Sequence, residues 1–264
     1  MSMKKLAIAL LLAGSTGCSF INSLIGGASD SAGQTVGNRV GENVANSAMG
    51  PRAPGGGAGS MGTMNPAFLN MYMSVIFTYA FSSGGYEVLP VAYKAGEYTR
   101  WTGQGQDGKG IKLERAYLGD DAKGRQWWKV KWTSEDDKTV ILEGLLDKQA
   151  QKFVRMRAKF PDDAEGKEMP VEESNYYHPA QKLSQDSIEG ATKGVEKVSV
   201  PAGTFNAKHV VFGGMDGTHE WWLDLKVPGG TVRQVMKSPR SDKDQWDMQL
   251  AAYGSDAKSE LGSK

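Results

Sequence analysis

The sequence predicts a mainly β fold of the α+β class, in which a curved antiparallel sheet surrounds one apolar helix. Three observations support this prediction. Beyond Gly85 apolar and polar residues alternate with a period of two, turn-forming residues separate the alternating stretches, and a strongly apolar stretch with helical start and stop signals precedes them. The predicted order is a signal peptide (1–17), a glycine-rich segment with a linker (18–65), the helix and sheet (66–253) and a disordered tail (254–264).

Composition excludes several classes of function. The 264 residues carry a formal net charge of +1, which lacks the basic excess that broad nucleic-acid binding requires. The single cysteine cannot form an internal disulfide or build a zinc or iron–sulfur centre. We therefore expect no nucleic-acid partner, no metal and no cofactor.

Residues 1–17 have the pattern of a secretory signal peptide. Lys4 and Lys5 form a positively charged start, and the apolar run 6–13 is too short to span a bilayer. Small residues then lead to Cys18, the only cysteine of the chain.

This pattern resembles the signals of bacterial lipoproteins, in which cleavage leaves the cysteine as a lipidated N-terminus. Gly17 before Cys18 fits the family, and Ser19 after it favours the outer membrane. The resemblance implies an outer-membrane lipoprotein that faces the periplasm and is held by acyl chains, palmitate among them, on Cys18. The alternative is an ordinary signal peptide with an incidental cysteine.

Small residues recur every four positions in the next segment, at Gly33, Gly37, Gly41 and Ala45. A spacing of four keeps residues on one helical face, so the pattern predicts a helix whose flat groove packs against another helix. It resembles the glycine zippers of bacterial envelope proteins and implies a homo-oligomer or an envelope protein partner. A flexible tether is the alternative, and residues 50–65, rich in glycine and proline, are predicted to be a linker.

Residues 66–82 are predicted to form an apolar helix. Asn65 caps its start, Pro66 suits its first position and Gly84 follows its end. Because nearly every face is apolar, the helix should be buried. Three placements remain open: a core helix held by the sheet, a helix at the membrane interface, or a self-associating, pore-like helix.

Eleven strands are predicted from the alternation, and their short connections imply an antiparallel meander. They are Tyr86–Tyr93, Glu97–Thr102, Ile111–Leu118, Gln126–Thr133, Thr139–Leu146, Phe153–Phe160, Gly194–Val200, Phe205–Phe212, His219–Leu225, Thr231–Lys237 and Asp247–Tyr253. One short helix is predicted near 181–190.

Alternation divides the strand side chains between two faces. The apolar face is expected to carry Trp128, Val130, Trp132, Val154, Met156, Ala158, Phe160, Trp221, Leu223 and Leu225. Where it meets the helix we expect an apolar cavity, lined by Phe68, Tyr72, Phe77, Trp128, Trp132 and Trp221.

The other face is expected to carry a basic stripe, formed by Lys129, Lys131, Arg155, Arg157 and Lys159. A solvated surface is the favoured interpretation of this stripe. The alternative is a contact with anionic headgroups or envelope glycans.

Two short sequence motifs in the predicted sheet resemble motifs of known proteins. They are VPAGTF at 200–205, and WW at 221–222 followed by VPGG at 227–230. They are similar to phrases in β-rich periplasmic proteins of the unclosed half-barrel type, the architecture of the lipoprotein carriers LolA and LolB. The resemblance implies a half-barrel around a helix, with a cavity for acyl chains or a bound peptide and no catalytic residues.

The sequence contains no motif typical of an enzyme. The GxGxxG match at 103–108 lacks the following helix of a dinucleotide site, the three histidines form no metal-binding pair, and no nucleophile elbow occurs. We therefore expect no enzyme, with a hydrolase-like activity as the least favoured alternative.

The favoured hypothesis is a membrane-anchored, non-catalytic binding or carrier module for an apolar ligand or a lipidated partner. The alternative is a structural or assembly lipoprotein that oligomerises through the glycine-rich segment.

Overall fold

The computed structural model describes residues 86–87, 91–104, 110–150, 152–171, 181–214, 217–237 and 244–263. The predictions for the signal peptide, for Cys18, for the glycine-rich segment and for helix 66–82 concern residues outside these ranges. They stay predictions, and so do the roles assigned to Phe68, Tyr72 and Phe77.

Thirteen strands and one helix are present in the described part of the chain. They are β1 (Tyr86–Glu87), β2 (Tyr98–Gln104), β3 (Gly110–Asp120), β4 (Gln126–Ser134), β5 (Thr139–Asp147), β6 (Lys152–Lys159), β7 (Lys167–Met169), β8 (Gln181–Lys182), α1 (Gln185–Ala191), β9 (Thr192–Val200), β10 (Gly203–Gly214), β11 (Gly217–Leu223), β12 (Thr231–Lys237) and β13 (Asp244–Gly254). No helix within the described ranges is both long and apolar enough to cross a membrane.

Eleven of these strands form one antiparallel sheet in the order β7-β6-β5-β4-β3-β2-β13-β12-β11-β10-β9. β1 and β8 form a separate parallel pair. The pairing of β2 with β13 brings the last strand of the chain beside the first strand of the large sheet. Since β7 and β9 lie at the two edges and do not pair with each other, the curved sheet is unclosed. This confirms the predicted mainly β fold and is consistent with a half-barrel.

The predicted strand positions agree closely with the structure. β12 matches its prediction in full, and α1 confirms the short helix, which starts where Ser184 Oγ accepts a hydrogen bond from the Ser187 backbone N–H. The prediction of a strand over Tyr86–Tyr93 is only partly right, because residues 91–97 are turn and coil. The short strand β7 was not predicted.

Three clusters of buried apolar side chains hold the described part of the sheet together. The large aromatic cluster draws on β2–β6 and β9–β13, and its aromatic members are Trp101, Tyr117, Trp128, Trp132, Phe153, Phe160, Phe205 and Trp222. The helix cluster joins Ile188 of α1 to Val210, Trp221 and Leu223. The Trp127 cluster contains Ala116, Leu118, Trp127 and Leu145.

A β-bulge changes which side chains of β6 reach the large aromatic cluster. Adjacent residues of β5 pair with Arg155 and Phe153, so Val154 is an extra residue. Phe153 is 1% exposed within the large aromatic cluster, whereas Val154 packs against the Trp127 cluster. The prediction that Val154 shares a face with Met156 is therefore wrong, because the bulge interrupts the alternation.

The C-terminal residues, predicted to be disordered, lie on the sheet instead. β13 runs to Gly254, and residues from the following segment 255–263 contact Lys129 of β4 and Glu143 of β5. Glu143 of β5 accepts hydrogen bonds from the backbone N–H groups of Glu260 and Leu261. The polar composition of this segment suggested disorder, but its polar groups find buried partners on the sheet.

Candidate functional site

The large aromatic cluster contains two of the three tryptophans predicted to line an apolar cavity. The ring of Trp128 lies 4.9 Å from that of Tyr117 and 5.4 Å from that of Tyr93, in a tilted and an edge-on arrangement. The ring of Trp132 lies 6.5 Å from that of Trp246. Contacts of this kind are favourable beyond simple burial. Trp128 and Trp132 therefore belong to one packed aromatic surface.

The third predicted tryptophan, Trp221, is placed elsewhere. It is fully buried in the helix cluster, against Ile188 of α1, and its neighbour Trp222 enters the large aromatic cluster in its place. Successive residues of a strand point to opposite faces, and a bulge follows Trp222 in the pairing with β12. The assignment of Trp221 to the same surface as Trp128 is wrong, because two adjacent tryptophans fit either phase of the alternation.

Trp222 is surrounded by charged groups as well as apolar ones. Its indole N–H donates to Glu196, and the ring of His209 stacks on it at 4.4 Å and 10°. His209 Nδ1 lies 2.9 Å from Glu196 Oε1, and His209 Nε2 lies 2.9 Å from Glu220 Oε2. Each ring nitrogen of His209 therefore faces a carboxylate oxygen.

Basic groups complete this network on β12. Lys237 Nζ lies 2.7 Å from Glu220 Oε1, and Arg233 donates to both carboxylate oxygens of Asp247 at 3.0 and 2.7 Å. Burial acts to raise the pKa of Glu220, but hydrogen bonds from Lys237 and His209 outweigh it and hold that pKa below its usual range. The charged groups of this network form ion pairs with one another. Two of its members, Glu196 and His209, contact Trp222 and fix the orientation of its ring.

The period-two alternation of the sequence did not identify His209 as part of a site. The signal that could have placed it is the short connection between Gly214 and Gly217, which sets the hairpin register and pairs His209 with Trp222. In the portion of the chain that the structure describes, no group of three or more His, Cys, Asp or Glu residues is arranged to hold a metal ion.

The predicted basic stripe is not an open basic surface. Lys129 has only 5% of its side chain exposed and lies 2.9 Å from Glu114 and 2.8 Å from Glu260. Burial acts to lower the pKa of Lys129, but these two carboxylates outweigh it and raise that pKa. Arg155 is paired in turn with Glu168 at 2.7 Å. The favoured interpretation as a solvated stripe is therefore wrong for Lys129, whose charge is neutralised inside the protein.

The comparisons with known proteins found a weak likeness among solved structures. No family model and no curated protein matches the chain. A crystal structure of MucB matches with a TM-score of 0.38 and 11% identity, over 67% of this chain and 60% of that one. The complex structure of Pseudomonas aeruginosa MucA/MucB gives a TM-score of 0.35 and 10% identity, over 60% and 50% of the two chains.

A third structure, MucB in complex with MucA(peri), gives a TM-score of 0.33 and 10% identity, over 65% of this chain and 54% of that one. The chain thus spans between 50% and 60% of the length of these three matched chains. At such scores and identities the likeness carries no inference about function.

Proposed function

We propose that the protein is a lipoprotein of the bacterial cell envelope, attached to the outer membrane through Cys18 and facing the periplasm. Its β-domain is a non-catalytic binding module for an apolar ligand, either an acyl chain or the acyl group of a lipidated partner. The observation that carries this proposal is the large aromatic cluster inside an unclosed sheet.

An unclosed sheet gives an apolar ligand a route inward that a closed barrel lacks. Each edge strand of the large sheet, β7 and β9, is paired on one side only. Moving an edge, or a segment that covers the cluster, uncovers aromatic side chains without breaking the central strand pairs. Each methylene group of an entering acyl chain then contributes about 0.8 kcal/mol of favourable free energy when it leaves water, which offsets the free-energy cost of that movement.

Methionines make the cluster adaptable to such a ligand. Met156 and Met248 are buried in it, at 0% and 3% exposure, and Met169 packs against it. A methionine side chain is unbranched and can change rotamer to fill or vacate irregular space. The cluster is therefore packed in the present conformation and can be repacked around a flexible chain.

We expect Cys18→Ala to abolish incorporation of labelled palmitate and to release the protein from the membrane fraction. The thiol that would carry the lipid is lost with this side chain, and stable anchoring needs more than one acyl chain. Ser19→Ala serves as the matched control and should keep the label. Labelling that persists in Cys18→Ala would rule out the proposed attachment point.

Titration of the Cys18→Ala chain with a dansyl-labelled fatty acid tests the binding module. We expect saturable binding with energy transfer from tryptophan to dansyl, because Trp128, Trp132 and Trp222 lie in the large aromatic cluster. Unlabelled palmitate should displace the probe, and butyrate, which buries far fewer methylenes, should not. A linear, non-saturating signal that palmitate leaves unchanged would contradict the proposal.

A further inference from the structure

The C-terminal strap, residues 255–263, lies across the sheet face that carries Lys129 and Glu143. This face is opposite to Trp128, the neighbour of Lys129 in β4. None of the strap residues belongs to a strand. It is therefore held by side-chain recognition and by isolated backbone contacts.

Glu143 recognises the backbone of the strap. It is 0% exposed, and its carboxylate accepts from the Ser259 hydroxyl at 2.7 Å, from Glu260 N at 2.6 Å and from Leu261 N at 3.2 Å. All three of these donors belong to the strap. Without the strap, Glu143 would be a buried or newly solvated carboxylate without these three donors.

Lys129 and Lys131 recognise the acidic side chain of the strap. Glu260 Oε1 lies 2.8 Å from Lys129 Nζ, and Glu260 Oε2 lies 3.1 Å from Lys131 Nζ. Lys129 also donates to the carbonyl oxygen of Lys258 at 3.2 Å. Burial acts to raise the pKa of Glu260, but the two lysines outweigh it and keep that pKa below its usual range.

Gly166 makes room for the apolar side chain of the strap. Leu261 is 6% exposed, and a Cβ at position 166 would lie 2.8 Å from Leu261 Cδ2. The face thus has three elements of peptide recognition: a carboxylate for two N–H groups, a lysine pair for a carboxylate, and a recess for a leucine.

The first half of the strap, residues 255–258, contacts the sheet region through the backbone of Gly96. Ala257 N donates to Gly96 O at 3.0 Å, and shallow clefts of about 400 and 380 Å³ lie beside residues 256–260. Gly96 has a φ of +85°, and its missing Cβ would lie 2.7 Å from Ser255 O, so the strap crosses close to backbone there. Recognition by side chains of the sheet is concentrated instead at Ser259, Glu260 and Leu261.

We propose that this face is a peptide-binding site for an extended Ser-Glu-Leu segment, and that the strap is its intramolecular ligand. The sheet contributes two buried ionic groups: Glu143, whose burial is costly without the donors of the strap, and Lys129, which binds Glu260 of the strap as well as Glu114 of the sheet. The strap is short and contributes one feature to each recognition element. Removing it from the site therefore leaves a receptor that a second copy of the same segment fits.

Competition in the full chain tests this proposal. Leu261→Asp places a charge in the recess and should release the strap, after which a fluorescent peptide of residues 254–264 binds about a hundredfold more tightly than to the wild-type chain. Leu225→Asp, at an exposed leucine away from the strap, is the matched control and should bind the peptide as weakly as wild type. Adding Glu143→Gln to Leu261→Asp should abolish the gain.

Two outcomes would overturn the proposal. A folded Leu261→Asp chain that binds the peptide no better than Leu225→Asp shows that the strap is a fixed part of the fold. If Leu261→Asp does not fold, amide hydrogen exchange of the wild-type chain decides: Glu260 and Leu261 should exchange about a hundredfold faster than Leu142 of β5, through local release of the strap. Equal exchange rates would show that the strap leaves only on global unfolding.

Discussion

Trp221→Ala is expected to lower the free energy of unfolding by about 3–5 kcal/mol, the usual cost of removing a buried aromatic side chain. Trp221 is 0% exposed and is the largest fully buried side chain of the described residues. Its ring lies 5.9 Å from that of Phe212 in an edge-on contact, and Ile188 of α1 packs in the same cluster. The substitution therefore leaves a cavity between α1 and the sheet.

Leu225→Ala is the matched control for this measurement. Leu225 lies shortly after β11 but is 74% exposed, so its removal should change the free energy of unfolding by no more than about 0.5 kcal/mol. Both values come from denaturant unfolding followed by circular dichroism. Similar losses of unfolding free energy for the two variants would contradict the placement of Trp221 in the helix cluster.

A folded Trp221→Phe chain should also bind the dansyl-labelled fatty acid as wild type does, because Trp221 lies outside the large aromatic cluster.

Phe153→Ala is expected to cost about 3–5 kcal/mol of unfolding free energy, for the same physical reason. The bulge in β6 turns Phe153 into the large aromatic cluster, where it is 1% exposed. Val154→Ala, one residue further along, should cost only about 1 kcal/mol, because Val154 is half-buried and loses two methyl groups.

The comparison of Phe153→Ala with Val154→Ala tests the bulge directly. Uninterrupted alternation would place Val154, and not Phe153, on the face of Met156. If Val154→Ala lowered the free energy of unfolding more than Phe153→Ala, the result would support a regular strand and contradict the observed register.

Period-two alternation was sufficient to locate most strands but not to assign every face. It predicted Thr231–Lys237 in full, because the strand is bounded by turn residues and its apolar positions are distinct. It failed at Phe153-Val154 and at Trp221-Trp222, where two adjacent apolar residues fit either face. Bulges determine which of the two residues faces the large aromatic cluster. A bulge depends on the pairing with the neighbouring strand, so the local sequence pattern does not predict it.

The charged face was mispredicted for a different reason. Lys129 and Glu260 are 131 residues apart in the chain, and their pairing depends on the tertiary fold. A polar tail and a basic strand each look solvated when considered alone. One signal was available: Glu143 lies between Leu142 and Gly144 in a strand with apolar residues on both sides, which is an unusual place for a carboxylate that remains in water.

Native mass spectrometry of the Cys18→Ala chain, purified under mild conditions from the soluble periplasmic fraction, tests the proposed apolar binding module most directly. The substitution removes the covalent lipid, so any added mass comes from a non-covalent ligand. The proposal predicts a population that carries one acyl-containing molecule per chain, and release of that molecule on unfolding. A spectrum that contains only the bare protein, with no acyl species in the denatured extract, would contradict it.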